Sequence, residues 1–246
     1  MIRHARFRLH SFLWTKEAGI EDLEPLGLGF AFALSNTGHF VGEKELDPAL
    51  MLRHAFLWTE SGGLRDLGAL PGSSFSQAFG VTDFGQVVGS STVPTGSFEL
   101  PLSHPFVWTE ADGMQDLAAM PPAVFEAEYG GVIMNDLGEV LFSNSNGDPH
   151  FLWTESSGLQ ELDLGGLSPG AMNDSRQVVG SVAVSGSFFR RAAIWTATDG
   201  VQLLGNPLPG VEENCAAGDI NNNGEIVGNC GVGVPGGARA MLWVLP

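Results

Sequence analysis

One tryptophan-centred motif recurs along the whole chain, and its repetition limits the fold more than any other feature. All six tryptophans occupy one position of this motif, in segments such as HAFLW and HPFVW. They lie 44, 50, 45, 42 and 48 residues apart. Repeats begin near His10, His54, His104, Pro149 and Arg191, and a last partial repeat begins at Arg239. Regular repetition of this kind indicates one supersecondary unit built many times.

Each period holds four short segments with the character of β-strands, named a to d in chain order. Segment a is small and apolar, b is β-branched as in QVVG, c is the aromatic HAFLWT, and d alternates as in LRDL. A tight turn rich in Asn, Asp and Gly follows every a segment, as in β-hairpins. Four strands in about 40–50 residues are typical of a propeller blade.

These segments predict a single all-β domain over residues 1–246, a β-propeller of four-stranded antiparallel blades. Only small side chains fit where blades converge, so the a strands are expected innermost. Five a segments predict five blades, whereas counting the aromatic c segments gives six as the alternative. Because the chain begins and ends within c segments, we expect terminal strands to close the ring, with Gly19–Leu23 as the last d strand.

The charge and the lack of known motifs exclude several function classes. Asp and Glu outnumber Lys and Arg by 28 to 11, giving a formal charge of −17 that would repel nucleic acid. No apolar run has transmembrane length, so we expect no membrane insertion. The His or Arg that opens each c segment recurs once per blade, which predicts hydrogen bonds between strands rather than metal ligation. Asp219–Gly224 begins like a calcium loop, but Cys230 stands where a Glu is needed. We expect no metal and no cofactor.

The two cysteines flank one a–b turn. Cys215 and Cys230 lie equally far from the centre of Asn221–Gly224, so a regular hairpin places them opposite each other. A disulfide is one interpretation and two buried thiols the other, and a one-residue slip at Gly224 would spoil the pairing. A disulfide would indicate a location outside the cytoplasm. The N-terminal MIRHARFRLH precedes no apolar stretch, so it is not expected to act as a signal peptide as it stands.

The motifs HAFLW, GLRDLG and N-D-x-G-x-V-V-G together resemble the HAF-repeat family of probable extracellular repeat proteins. His10, His54 and His104 match the leading His of that family, whereas His150 is shifted, and Arg191 and Arg239 replace it in later repeats. The resemblance implies a secreted repeat protein and brings no established activity.

Variation among the copies indicates which face carries function. The a–b and c–d turns keep their length, whereas the b–c and d–a connections differ from repeat to repeat. Loops held by a rigid scaffold are the usual place for binding and catalysis. Polar and aromatic residues on these loops are therefore the candidate ligand-binding set: Phe98, Glu99, Glu126, Glu128, Tyr129, Phe188, Phe189, Arg190, Glu212 and Glu213. Further loop residues in this set of variable connections are Glu45, Asp47, Arg53, Phe75, Phe125, Asp148 and Arg191.

Three functions fit this pattern. The first is a ligand-binding propeller for a carbohydrate or another polar ligand, because aromatic faces stack on rings and charged groups hydrogen-bond. The second is a lyase, cyclase or hydrolase that uses Glu126, Glu128, Tyr129, Arg190 and Arg191. The third is a structural module with a protein partner. The fold alone does not choose among them, and the oligomeric state stays open.

Overall fold

The computed structural model describes residues 11–26, 29–47, 49–50, 52–93, 102–119, 129–144, 149–186, 189–205, 213–232 and 237–245. The chain divides into two compact units, Met1–Asp116 and Leu117–Pro246, and each is described by itself. The prediction of a single domain stays a prediction. Almost all regular structure in the described part is β-strand, with one 3-10 turn at Glu24–Leu26.

The first unit contains a hairpin and two four-stranded antiparallel sheets. The N-terminal hairpin consists of β1 (Phe12–Thr15) and β2 (Gly19–Asp22). The first sheet has β3 (Phe30–Leu34), β4 (Phe40–Asp47), β5 (Leu52–Thr59) and β6 (Gly63–Gly68). The second sheet has β7 (Ser76–Val81), β8 (Val87–Val93), β9 (Leu102–Thr109) and β10 (Gly113–Asp116).

The second unit contains three antiparallel sheets. The third sheet has β11 (Tyr129–Met134), β12 (Val140–Asn144), β13 (His150–Thr154) and β14 (Gly158–Leu162). The fourth has β15 (Leu167–Met172), β16 (Val178–Ala183), β17 (Arg190–Thr196) and β18 (Gly200–Leu203). The fifth has β19 (Glu213–Ile220), β20 (Glu225–Val232) and β21 (Ala238–Val244).

The strand order confirms the predicted a–b–c–d arrangement. In every complete sheet, four consecutive strands pair in chain order, so each repeat builds one sheet. The terminal repeats supply a c–d pair, β1 with β2, and an a–b–c set, β19 to β21. Gly19–Asp22 therefore pairs with Phe12–Thr15, its own c segment. The number of blades and the closure of the ring stay predictions.

Every a–b turn is closed in the same way. The first turn residue, such as Thr82 or Asn173, accepts a hydrogen bond through its side chain from the backbone N–H four residues later. The fourth residue has a positive φ, and it is Gly in four turns, for example Gly85 at 84°. The predicted hairpin chemistry is therefore confirmed, because Gly adopts this conformation without a Cβ clash.

A β-bulge in each a strand explains the glycine of the b strands. Four bulges fall three residues before the turn, as at Gly170 in β15. There the carbonyl oxygen of Ser168 approaches Gly180 so closely that a Cβ would lie 2.0 Å from it. Gly42, Gly89 and Gly228 meet the same obstacle in their sheets. Only glycine therefore fits this position opposite the bulge.

The third sheet departs from this rule in both strands at once. Its b strand carries Phe142 where the other sheets have glycine, and its bulge lies at Gly130, closer to the start of the strand. Phe142 pairs regularly with Val132 and is buried. Moving the bulge removes the close carbonyl, so a bulky side chain fits.

The cores lie between successive sheets of each unit. Val41, Ala55 and Leu57 of the first sheet pack against Phe106 and Trp108 of the second. In the second unit, one core joins the third and fourth sheets and another joins the fourth and fifth. Buried apolar surface of this kind supplies most of the favourable free energy of folding.

Most of the tryptophans lie within these cores. Trp108, Trp153 and Trp195 are buried, and Trp58 and Trp243 are partly buried. Trp14 is the exception, with 62% of its surface exposed. It lies on the two-stranded N-terminal hairpin, which has too few strands to enclose a large ring.

Candidate functional site

Hydrogen bonds between neighbouring sheets occupy the polar groups of the a–b turns. In the first unit, Thr37 donates from its backbone N–H to Asp83, and Asn36 donates to the same carboxylate. In the second unit, the amide of Asn135 donates to the carbonyl of Asn173, and Asn173 donates in turn to the carbonyl of Asn221. These hydrogen bonds link neighbouring sheets, which is a structural role.

The c–d turns close on themselves. The threonine that ends each of the first five c strands accepts a backbone N–H three residues later, as Thr59 does from Gly62 and Thr196 does from Asp199. The turn uses local hydrogen bonds and needs no partner beyond its own residues. The end of the sheets that carries the a–b and c–d turns is therefore the constant end, as the sequence predicts.

The histidines that lead the c strands bind a neighbouring strand, as predicted. His54 Nδ1 lies 2.9 Å from Asp66 Oδ1, and His104 Nδ1 lies 2.9 Å from Asp116 Oδ2. Each aspartate belongs to the d strand of the same sheet. In the described part of the chain, no group of three His, Cys, Asp or Glu side chains could hold a metal ion.

At the opposite end of the sheets, where the b–c and d–a connections meet, Arg190 is held across three strands of the fourth sheet. This end is named the variable end. The guanidinium donates to Ser181 Oγ at 2.8 Å, to the Ser181 carbonyl at 2.9 Å and to Ser168 Oγ at 2.5 Å. Arginine presents several donors in a fixed fork, so these bonds set its orientation.

The same place gathers three of the predicted ligand residues. The backbone N–H of Arg190 donates to Asn214 Oδ1 at 3.0 Å, which brings β17 beside the start of β19 and hence beside Glu213. Phe189 directly precedes Arg190 and is 38% exposed. Arg191 pairs with Val182 in the neighbouring strand. The structure thus brings Phe189, Arg190 and the backbone of Glu213 to one edge of the second unit.

The remaining predicted site residues are described in part or not at all. Tyr129 begins β11 and pairs through its backbone with Asn144, at the variable end of the third sheet. Phe98, Glu99, Glu126, Glu128, Phe188 and Glu212 lie outside the described residues, as do Phe125 and Asp148.

The first unit has a second arginine cluster at its variable end. Arg53 Nη1 lies 3.1 Å from Glu43 Oε1, and its Nη2 lies 3.5 Å from Glu45 Oε2. Gln77 of the second sheet also donates to Glu43. The Glu43 side chain is only 5% exposed, whereas Arg53 is 39% exposed and Glu45 47%. A buried carboxylate thus holds an arginine whose outer part faces solvent.

Arg53 and Arg190 occupy the same position of the repeat, five residues before the tryptophan of their strand. Their partners Glu43 and Ser181 are likewise equivalent, because each directly follows the b-strand glycine. Both arginines belong to the residues predicted from the variable connections, whereas Glu43, Gln77, Ser168 and Ser181 do not. A polar residue follows the b-strand glycine in four repeats, at Glu43, Ser90, Ser181 and Asn229, and this signal could have revealed Glu43 and Ser181.

The backbone around Arg53 adds a further fixed contact. Its N–H donates to the carbonyl of Ser74 at 3.1 Å, and Arg53 forms a parallel bridge with Phe75. Both residues belong to the connection between the first and second sheets. The b–c and d–a connections of the first unit are therefore joined at this arginine, which confirms that they share one end.

No protein-family model matches the chain, and no curated protein matches its sequence. Solved structures do resemble it. Virginiamycin B lyase from Staphylococcus aureus aligns with 88% of this chain and 70% of its own, at 10% identity and a TM-score of 0.50. A putative gluconolactonase covers 89% and 77% at 11% identity, with a TM-score of 0.48. A streptogramin B lyase covers 88% and 69% at 12% identity, also at 0.48.

The likeness to virginiamycin B lyase concerns the fold alone and supports a β-propeller for this chain. It agrees with the repeated four-stranded antiparallel sheets described above. Among the described residues, no helix is long and apolar enough to cross a membrane.

Proposed function

We propose that the chain is a ligand-binding β-propeller that holds a small polar ligand, such as a carbohydrate, at its variable end. One observation carries this proposal. In each unit, an arginine at the same repeat position is fixed in orientation at the variable end, while the polar groups of the a–b turns bond to one another. An orientation-fixed arginine such as Arg190, next in the chain to an exposed aromatic residue such as Phe189, supplies the types of group that orient polar ligands.

The finer features of the fold belong to this proposal. Five blades would close in a ring, with the N-terminal segment Gly19–Leu23 as the d strand of the fifth sheet. The repeats would be HAF repeats, and the protein would work outside the cytoplasm. The Cys215–Cys230 disulfide is consistent with an extracellular or periplasmic location, since such bonds persist in oxidising compartments.

Binding of the full chain to a panel of glycans and small organic acids, followed by calorimetry, tests the proposal. Replacing Arg190 by Met removes the donors and keeps an apolar stem, so affinity for a panel ligand should fall about tenfold or more. Arg65→Met is the matched control, because Arg65 lies toward the constant end, where it pairs with Glu110 and stacks on Trp108. Equal losses in both variants, or no panel ligand at all, would count against the variable end.

An enzyme on the same scaffold, a lyase, cyclase or hydrolase, is the alternative, and the fold shared with a lyase is the observation behind it. It predicts turnover of a substrate such as virginiamycin B and loss of that turnover in Glu128→Gln. Binding without turnover in the wild-type chain would favour the binding function. A protein partner would instead require loss of complex formation on substitution of Phe189.

A further inference from the structure

A separate cavity of about 230 Å³ lies on the first sheet, on the face opposite the Arg53 cluster. Its lining includes Lys44, Leu46, His54, Phe56, Leu64 and Asp66. All six belong to β4, β5 and β6, so one sheet builds the site. Small-molecule sites in proteins combine apolar walls with a few placed polar groups, and this lining has that composition.

The register places the polar and apolar groups of this cavity together. Lys44 pairs with His54, and Phe56 pairs with Asp66. Residues directly opposite in an antiparallel pair project to the same face of the sheet. Glu43 and Glu45 alternate with Lys44 along β4, so they project to the other face, where they bind Arg53.

The ionisable side chains of the cavity differ in whether they have hydrogen-bond or ion-pair partners. Asp66 Oδ1 accepts from the Gly68 N–H at 2.8 Å and lies 2.9 Å from His54 Nδ1. In this contact His54 Nδ1 donates to the carboxylate, so Nε2 of the neutral ring is an acceptor. The side chain of Lys44 has neither a hydrogen bond nor an ion pair with any residue in the described ranges. Its ammonium is therefore a charged group of this cavity that has no direct ion-pair partner.

The other repeats do not reproduce this combination. The position of Lys44 is held by Ser91, Asn144, Val182 and Cys230 in the second to fifth sheets. Ser91 is fully buried, where it accepts from the N–H of Leu70 and donates to the carbonyl of Phe75. The cation is thus peculiar to the first sheet, whereas a purely structural position would be expected to repeat.

We propose that this cavity binds a small amphipathic carboxylate. The carboxylate would pair with Lys44 Nζ, and the apolar body would lie on Leu64 and Leu46. A neutral ligand would leave the ammonium without an ion-pair partner, and a cationic ligand would be repelled by it. The chain as a whole carries a formal charge of −17, so attraction of an anion must come from this local group.

Calorimetric titration with phenylacetate and with its neutral isostere phenylacetamide tests the proposal on the full chain. Phenylacetate should bind saturably, and phenylacetamide about tenfold or more weakly, because it cannot form the charge-assisted bond. Lys44→Met should abolish that difference between the two ligands. Lys16→Met removes an exposed lysine of the N-terminal hairpin and should leave both affinities unchanged.

Three outcomes would overturn this site: no saturable binding of phenylacetate, equal binding of the amide, or equal losses in the two lysine variants. The comparison of acid with amide uses the wild-type chain, so it does not depend on the folding of any variant.

Discussion

Arg176 forms a forked ion pair with Glu139 across two neighbouring sheets of the second unit. Arg176 Nη2 lies 2.6 Å from Glu139 Oε1, and its Nε lies 3.1 Å from each carboxylate oxygen. The hydrogen bond from Arg176 is the main reason that the pKa of Glu139 lies below its ordinary value; partial burial opposes it, and a bond from Asn135 adds to it. The same pair raises the pKa of Arg176.

This ion pair explains why Arg176 stands where the other four a–b turns have glycine. Its φ of 56° lies in the left-handed region, which costs an L residue roughly 1–2 kcal/mol. Its side chain starts beside the neighbouring sheet, within reach of Glu139. The ion pair thus offsets the backbone strain. Because the ion pair depends on pH and the strain does not, their contributions to stability can be separated by changing the pH.

We expect Arg176→Gly to lower stability at pH 7 by about 1 kcal/mol, the net value of a hydrogen bond to a half-buried charge less the relief of strain. A lowered folded-state pKa means that Glu139 stabilises the fold above its unfolded pKa of about 4.3, and that this is lost as the pH falls through the folded pKa. The difference between the variant and the wild type should therefore shrink as the pH falls below about 4.

Urea unfolding between pH 7 and pH 3 measures this difference. In a Glu139→Gln background, position 139 no longer titrates, so the effect of Arg176→Gly on stability should not change with pH. A stability gap of constant size in the wild-type background would show that the ion pair contributes nothing.

Gly180→Ala tests the bulge that recurs in the a strands. Its new Cβ would meet the carbonyl of Ser168, so the bulge must move or the strands must part, and we expect a loss of about 2 kcal/mol or more. Gly205→Ala is the matched control, because a Cβ there meets no atom within 4 Å. Thermal unfolding measures the stability of both variants. A Gly180→Ala protein as stable as the control would refute the steric explanation.

Much of this fold follows from the sequence because the signals are local. Period-2 alternation and the Asn/Gly turns predict each strand and its partner within a repeat, and the order of the sheets confirms them. The constant length of the turns also predicts which end is structural. Each of these features depends on a few adjacent residues.

The bulges and the arginine clusters depend on residues brought together by pairing, so the sequence conceals them. In the sequence, Gly180 resembles an ordinary strand residue. Only strand pairing brings the carbonyl of Ser168 against it. Glu43 resembles any solvated strand carboxylate, yet Arg53 and Gln77, from other strands, enclose it. The sequence predicts the face and the residue types of the candidate site. It does not predict the hydrogen-bond partners of these residues.

Trp108→Ala should cost about 3–5 kcal/mol, as truncation of a large buried aromatic does. Trp108 is 4% exposed, and Arg65 lies over its ring at 4.8 Å from the ring centroid. Trp14→Ala should change stability by less than about 1 kcal/mol, because Trp14 is mostly exposed. Denaturant midpoints of the two variants give the comparison, and similar losses would mean that the N-terminal hairpin encloses its tryptophan after all.

The Cys215–Cys230 disulfide depends on two compensating irregularities in one hairpin. Next to the turn, Ile220 pairs with Ile226, so the turn with Gly224 at a positive φ shifts the register by one residue. A bulge at Gly218 shifts it back, and Cys215 then lies directly opposite Cys230 with a Cα–Cα distance of 4.1 Å. The one-residue register shift that would separate the two cysteines does occur at the turn, and the bulge at Gly218 reverses it.

Replacing both cysteines by Ala should lower stability by about 3 kcal/mol, the value expected for a bridge that closes a loop of 15 residues. Alkylation of denatured protein, with and without prior reduction, followed by mass measurement, first establishes the bond in protein from an oxidising compartment. Thiols that alkylate without reduction would rule it out there. A variant with Gly228→Ala supplies the structural control. A Cβ at Gly228 would lie 2.1 Å from the carbonyl oxygen of Ala216, so the bulge opposite it must move. This variant should retain free thiols in the same compartment, while Gly205→Ala, whose Cβ meets no atom within 4 Å, forms the bond normally.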